Sequence, residues 1–195
     1  KKDVISLGVG EPDFATPWNI VDAAFYNMKM GRTHYTSNFG LLEFRKEVGE
    51  YLKKYDLDYG PDEIIATIGG SEGIDLALRS IINPGDEIIV PEPVYVPYRP
   101  LSELTGATVV GIDTSKTEFK VDAKELEKLI TPKTKAIILC YPNNPTGITM
   151  PYEDLKAVAE VVKKHNIWVI TDEIYSELTY VGEHTSIASF PDMKE

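Results

Sequence analysis

Apolar and polar positions alternate with two different periods along this chain. In the first third the spacing is helical. "NIVDAAFYNMKMG" (19–31) reads as a helix stopped by Gly31, and "LLEFRKEVGEYLKKY" (41–55) as a second. The second carries Leu41, Phe44, Val48, Tyr51 and Leu52 on one stripe. Residues 1–18 read as mostly irregular, punctuated by Gly8, Gly10, Pro12 and Pro17. From residue 61 short apolar runs take turns with helical segments. "EIIATI" (63–68), "IIVPEP" (88–93), "TVVGI" (108–112), "AIILCYP" (136–142) and "WVIT" (168–171) read as strands. Between them fall a helix ending near Ile82, a proline-broken helix at about 95–105, "DAKELEKLI" (122–130) and "PYEDLKAVAEVVKKH" (151–165). The last has Pro151 near its first position and Leu155, Val158, Ala159 and Val162 at helical spacing.

Five strands interleaved with helices imply βαβ crossovers and an α/β fold: a mostly parallel sheet covered on both faces. Ligands of such sheets bind beyond the carboxyl ends of the strands. Chemistry is therefore sought in the residues that follow each strand: Gly69 to Gly73, Glu92 to Tyr95, Asn143 to Gly147 and Asp172 to Tyr175.

Composition narrows the field only slightly. The chain has 195 residues, 43% hydrophobic, and a net charge of −11, which argues against a nucleic-acid or anionic-membrane surface. No apolar run reaches the ~18 residues of a membrane span. Cys140 is the single cysteine, so no internal disulfide can form and a cytoplasmic setting is expected. Its place inside "AIILCYP" reads as that of a small buried hydrophobe.

Each strand tip admits two readings. "GGSEG" (69–73) joins a strand to a helix, either as a phosphate cradle at a helix N-terminus or as a tight turn. A dinucleotide fingerprint competes, but its first glycine would fall on Ile68. Tyr95 either stacks on a flat ring or packs in the core. In "YPNNPTG" (141–147) two prolines bracket two asparagines. Asn144 either donates to a ligand oxygen or belongs to a self-bonded turn. "VITDEIYSEL" (169–178) ends an apolar run on two acids. Either the acids are simply at the surface, or Asp172 faces a cationic ring beside Tyr175 and the Asn-Pro loop.

These residues resemble the pyridoxal-phosphate-dependent aminotransferases of fold type I, class I/II. The resemblance rests on "GVGEPDF", "HYTSNFGLLEFRKEV", "IGGSEGIDLAL", "NPGDEIIVPEPVY", "YPNNPTG" and "TDEIY", in the family's order over nearly the whole chain. It implies a three-layer α/β/α large domain over residues 41–195, incomplete here, with residues 1–40 a segment partly of the small domain and partly contacting a second subunit. It implies that Gly69, Gly70 and Ser71 hold the cofactor phosphate, that Tyr95 stacks on the pyridine ring, and that Asn144 and Tyr175 bond its phenolic oxygen. Asp172 would pair with the ring nitrogen and keep it protonated, making the ring a better electron sink. Tyr35 would reach the phosphate of the neighbouring subunit in a homodimer, and Gly10 would lie near the substrate carboxylate. Asp172 and Tyr175 carry the catalytic assignment, with an amino acid and a 2-oxo acid as substrates. Glu173 is expected to be a structural or surface acid.

The family's Schiff-base lysine follows "DEIY" by several tens of residues in a Ser/Thr-rich loop. Lys194 comes too early, and none of Arg32, Arg45, Arg79 and Arg99 matches the carboxylate-binding arginine. The chain thus reads as the N-terminal part of such an enzyme. Two later strands of the family would lie between the strands at 63–68 and 136–142, so a gap in the sheet is expected. The resemblance also reaches carbon–sulfur lyases, cyclopropane-forming synthases and the aminotransferase-like domains of transcription regulators.

Overall fold

The computed structural model describes residues 14–194. The chain divides into two compact units, Lys1–Ser37 and Asn38–Glu195. In the first, helix α1 (Trp18–Lys29) leaves Trp18, Ile20, Phe25, Tyr26 and Met28 exposed and buries no residue.

The second unit holds helices α2 (Leu42–Leu52), α3 (Gly70–Ile81), α4 (Tyr98–Leu104), α5 (Ala123–Leu129) and α6 (Tyr152–His165) around strands β1 (Glu87–Glu92), β2 (Thr108–Asp113), β3 (Thr134–Cys140) and β4 (Trp168–Asp172). The strands form one sheet in the order β2-β1-β3-β4, parallel throughout. Two cores cover its faces. On one, α3 and α4 bring Ile74, Leu78 and Tyr98 onto Ile88, Val90, Ala136, Ile138 and Cys140. On the other, α5 and α6 bring Leu126, Leu155, Val158 and Val162 onto Ile89, Ile137, Leu139 and Tyr141. Both cores follow from the twofold alternation of side chains along a strand. From Ala136 to Cys140 β3 is buried on both sides, as a central parallel strand requires. Helix α6 is oriented by its charges as well as its apolar stripe. Glu153 and Asp154 occupy the first turn, and Lys163, Lys164 and His165 the last, each complementing the helix dipole.

The expected strand at 63–68 is not one. Pro61–Glu63 form a single 3-10 turn, and the following residues take no part in the sheet. Ile64 is extended, but backbone bonds of the segment run from Glu63 N–H to the Gly60 carbonyl and from Ala66 N–H to the Phe39 carbonyl, both at 3.0 Å. Extended backbone becomes a strand only where a neighbour completes its ladder. Ile65 and Ile68 are exposed instead. The expected gap does not lie beside 136–142, because β1 and β4 occupy both edges of β3; it is the 63–68 segment that stands apart from the sheet.

Helix α2 packs closely on the 59–64 segment. A Cβ on Gly49 would sit 2.7 Å from the Tyr59 carbonyl oxygen. The Cβ is fixed to the helix and the oxygen is backbone, so neither side can yield cheaply. Gly49→Ala is expected to destabilise the unit by about 1–3 kcal/mol in chemical denaturation, although alanine is the better helix former.

Candidate active site at the carboxyl edge of the sheet

The helix that precedes β1 must run antiparallel to it, since only the short turn 82–86 joins them. The start of α3 therefore lies at the carboxyl edge of the sheet, where β1, β3 and β4 also end. Gly69 sits at φ +83°, a conformation costly for any residue with a Cβ, and it opens α3 without a side-chain cap. A Cβ added to Gly69 or Gly70 meets nothing within 4 Å. Gly69, Gly70 and Ser71 are exposed, and the first helical N–H groups have no intrahelical acceptor; the Glu72 carboxylate beside them accepts the Ile68 N–H.

Strand parity sorts the two acids at the end of β4. Cys140 is in register with Asp172, and Ile138 with Ile170. Ile170 packs on the α3/α4 core and Val169 on the α5/α6 core. Asp172 thus falls on the α3/α4 face and Glu173 on the opposite one. The contacts agree. Asp172 Oδ2 accepts the Tyr98 hydroxyl at 2.7 Å, and Oδ1 accepts the Ile174 N–H at 3.1 Å. Glu173 Oε1 accepts Ser186 Oγ at 2.7 Å and Thr171 Oγ1 at 3.0 Å, while Oε2 lies 2.8 Å from His184 Nε2. Glu173 is therefore a structural acid, tying the 184–186 segment to the end of β4. It also lines a cavity of about 550 Å³ with Leu139, Tyr141 and His184, on the side of the sheet away from Asp172.

The Asn-Pro loop also divides its labour. Asn143 is buried and takes the turn role: its Oδ1 accepts Thr146 N–H at 3.1 Å and Thr146 Oγ1 at 2.7 Å. Its amide reaches the Pro93 carbonyl at 3.4 Å, holding two strand-end loops together. Asn144 is half-buried, and its amide lies 3.4 Å from the Tyr175 hydroxyl. The peptide bonds before Pro93, Pro142 and Pro145 are cis. The turn Ser176–Leu178 that follows Tyr175 is anchored on the end of α2 and the 3-10 turn after it, where Glu177 Oε1 accepts from Lys54 and, at 2.5 Å, from Tyr51. The Lys54 ammonium pulls the Glu177 carboxyl down to about 2.

Asp172, Asn144 and Tyr175 are thus gathered at one edge, with Tyr95 joined to Asp172 through Tyr98. Tyr95 is partly exposed and meets Tyr98 edge to face, ring centroids 5.5 Å apart. Tyr35 belongs to the N-terminal unit and is exposed; Gly10 lies outside the described residues. Lys194 is bound elsewhere, its Nζ 2.5 Å from the Asp58 carbonyl oxygen and 3.2 Å from Glu63. Of the arginines, Arg45 is buried and donates to the Pro61 carbonyl, and Arg99 pairs with Glu92 at 2.5 Å.

The sequence reading missed Tyr98. A tyrosine three residues after another at a helix start carries the signal, because a buried phenol needs a partner. Tyr98 is fully buried. Burial first, then hydrogen bonding to Cys140 and Asp172, pushes its hydroxyl far above the usual phenol range, so it remains a donor. Cys140 beside it is also buried, and burial raises its thiol. Native protein at pH 8 is expected to leave Cys140 unmodified by iodoacetamide, with labelling complete after denaturation; mass spectrometry distinguishes the two.

Known proteins share this arrangement of strands. The aromatic aminotransferase from Pyrococcus horikoshii OT3 superposes with a TM-score of 0.95 at 40% identity, covering 99% of this chain and 52% of that one. Thermus thermophilus aspartate aminotransferase with maleate gives 0.90 at 37% identity, covering 93% and 48%. In sequence, YugH of Bacillus subtilis (strain 168), an aminotransferase-family protein, is 49% identical over 195 residues, 98% of this chain and 50% of its own length. The aspartate aminotransferase of Bacillus sp. (strain YM-2) is 42% identical over 193 residues, 97% and 49%. The chain spans about half the length of the curated relatives it matches. The family described as aminotransferase class I and II matches residues 2–193, and with the fold and the relatives in agreement, this chain belongs to it.

Proposed function

We propose that the protein containing this chain transfers an amino group from an L-amino acid to a 2-oxo acid, with pyridoxal 5'-phosphate held at the carboxyl edge of the sheet. The observation that carries this reading is Asp172. Its two oxygens are each fixed by a donor, on the face of the sheet covered by α3, whose N-terminus lies at the same edge. The residues fit the group. Three exposed N–H groups at an uncapped helix start suit a dianionic phosphate. The partly exposed Tyr95 ring suits stacking, and the Asn144 amide beside the Tyr175 hydroxyl suits a phenolate oxygen.

Bound there, the cofactor would supply an electron sink conjugated to the substrate's Cα. The chain's own part is positioning and charge. Asp172 holds a proton on the ring nitrogen, the start of α3 orients the phosphate, and Asn144 with Tyr175 holds the ring oxygen. Gly10 and Asn144 are assigned to the substrate carboxylate, and Tyr35 to the phosphate of a second subunit. Among the described residues the apolar side chains of α1 are exposed, which suits a contact with a second subunit of a homodimer. Among the described residues no helix is long and apolar enough to cross a membrane. A cytoplasmic setting rests on the single buried thiol.

Full-length protein supplied with pyridoxal phosphate, 2-oxoglutarate and a panel of aspartate, alanine and aromatic donors should form glutamate. With a β-thioether amino acid such as cystathionine as donor, release of a thiol, ammonia and pyruvate without glutamate would replace transfer by lyase chemistry.

A further inference from the structure

Asp172 and Tyr95 come from different strand-end segments, yet one buried side chain touches both. The Tyr98 hydroxyl donates to Asp172 Oδ2 at 2.7 Å, and its ring meets that of Tyr95 edge to face at 79°. Tyr98 opens α4, is fully buried, and packs in the core with Ile74, Val90, Ile138 and Cys140. It has little freedom to move, so what it holds is held firmly. We propose that Tyr98 is a positioning residue that sets both the carboxylate facing the ring nitrogen and the aromatic ring that stacks on the cofactor; this rests on the function proposed above.

The carboxylate accepts one hydrogen bond on each oxygen, from Tyr98 and from the Ile174 N–H. Both donors fix its plane, leaving the remaining lone pairs for an incoming cation. Without the phenol, one of the two anchors is gone and Asp172 turns more freely. Its charge is then aimed less squarely at the ring nitrogen and holds the ring proton less firmly. Tyr98 itself need not touch the cofactor: its effect passes through Asp172 Oδ2 and the Tyr95 ring edge.

The test uses the full-length protein. Tyr98→Phe keeps the ring, its volume and its contact with Tyr95, and removes only the donor. Three results are expected: a roughly tenfold weaker Kd for pyridoxal phosphate by equilibrium dialysis, kcat lower by a similar factor with KM for the amino acid little changed, and an upward shift in the pH midpoint of the bound cofactor's visible band. The shift follows because a ring nitrogen less firmly protonated opposes a second positive charge on the conjugated system less strongly. A purely structural role would lower the thermal midpoint of the cofactor-free protein but leave that pH midpoint in place. In an Asp172→Asn background Tyr98→Phe should add little, since the two act as one unit. The inference is overturned if Tyr98→Phe leaves Kd, kcat and the pH midpoint at wild-type values, or if it costs the same tenfold in the Asp172→Asn background. Wild-type protein that binds no pyridoxal phosphate would overturn the proposed function itself, and this inference with it.

Discussion

Replacing Asp172 by asparagine is expected to lower turnover of the full-length protein by roughly 10³-fold. Two unit charges near 4 Å interact by about 4 kcal/mol at an effective dielectric of about 20. That energy corresponds to about three powers of ten in rate. Asparagine preserves the shape and can still accept the Tyr98 hydroxyl, so the substitution isolates the charge. Cofactor affinity should fall as well, while the thermal midpoint without cofactor changes by only a few degrees. Steady-state kinetics with saturating cofactor, beside calorimetry of the cofactor-free protein, separates the two effects. Turnover within a factor of about three of wild type would remove Asp172 from the reaction.

Glu173→Ala should do the opposite. It strips three acceptor contacts from Thr171, His184 and Ser186 in a pair whose side chains are only 18% and 7% exposed. Leaving a buried hydrogen-bonding group without its partner costs about 1–3 kcal/mol, and His184 and Ser186 are both left so. For a chain of this size each kcal/mol corresponds to a fall in Tm of about 2–4 °C. The affinity for pyridoxal phosphate should hold below the new midpoint, because Glu173 points to the other face of the sheet. A stable Glu173→Ala protein with impaired cofactor binding would reverse the two roles.

Much of this arrangement was legible in the chain. The four paired strands stand within one or two residues of their predicted bounds, because apolar runs bounded by glycine and proline are strong local signals. The segment 63–68 was not, since "EIIATI" carries a strand's composition while pairing depends on a neighbour that a single segment cannot specify. The turn chemistry of "YPNNPTG" announced a rigid loop, but composition alone could not say which asparagine is consumed inside it. The bond between Tyr98 and Asp172 spans 74 positions and arises from the packing of α4 on the face of the sheet to which Asp172 belongs. No local pattern encodes such a pair.

Adjacent acids that answer to opposite sides of one pleat also make β4 sensitive to count. Deleting a single residue between Trp168 and Thr171 would exchange the sides of every residue that follows. The glutamate would turn toward Tyr98 and the aspartate toward His184. Length in this strand is therefore under tighter constraint than identity: a conservative swap such as Val169→Ile touches one core, whereas a frameshift of one pleat disarms the chemistry and unfastens the scaffold together.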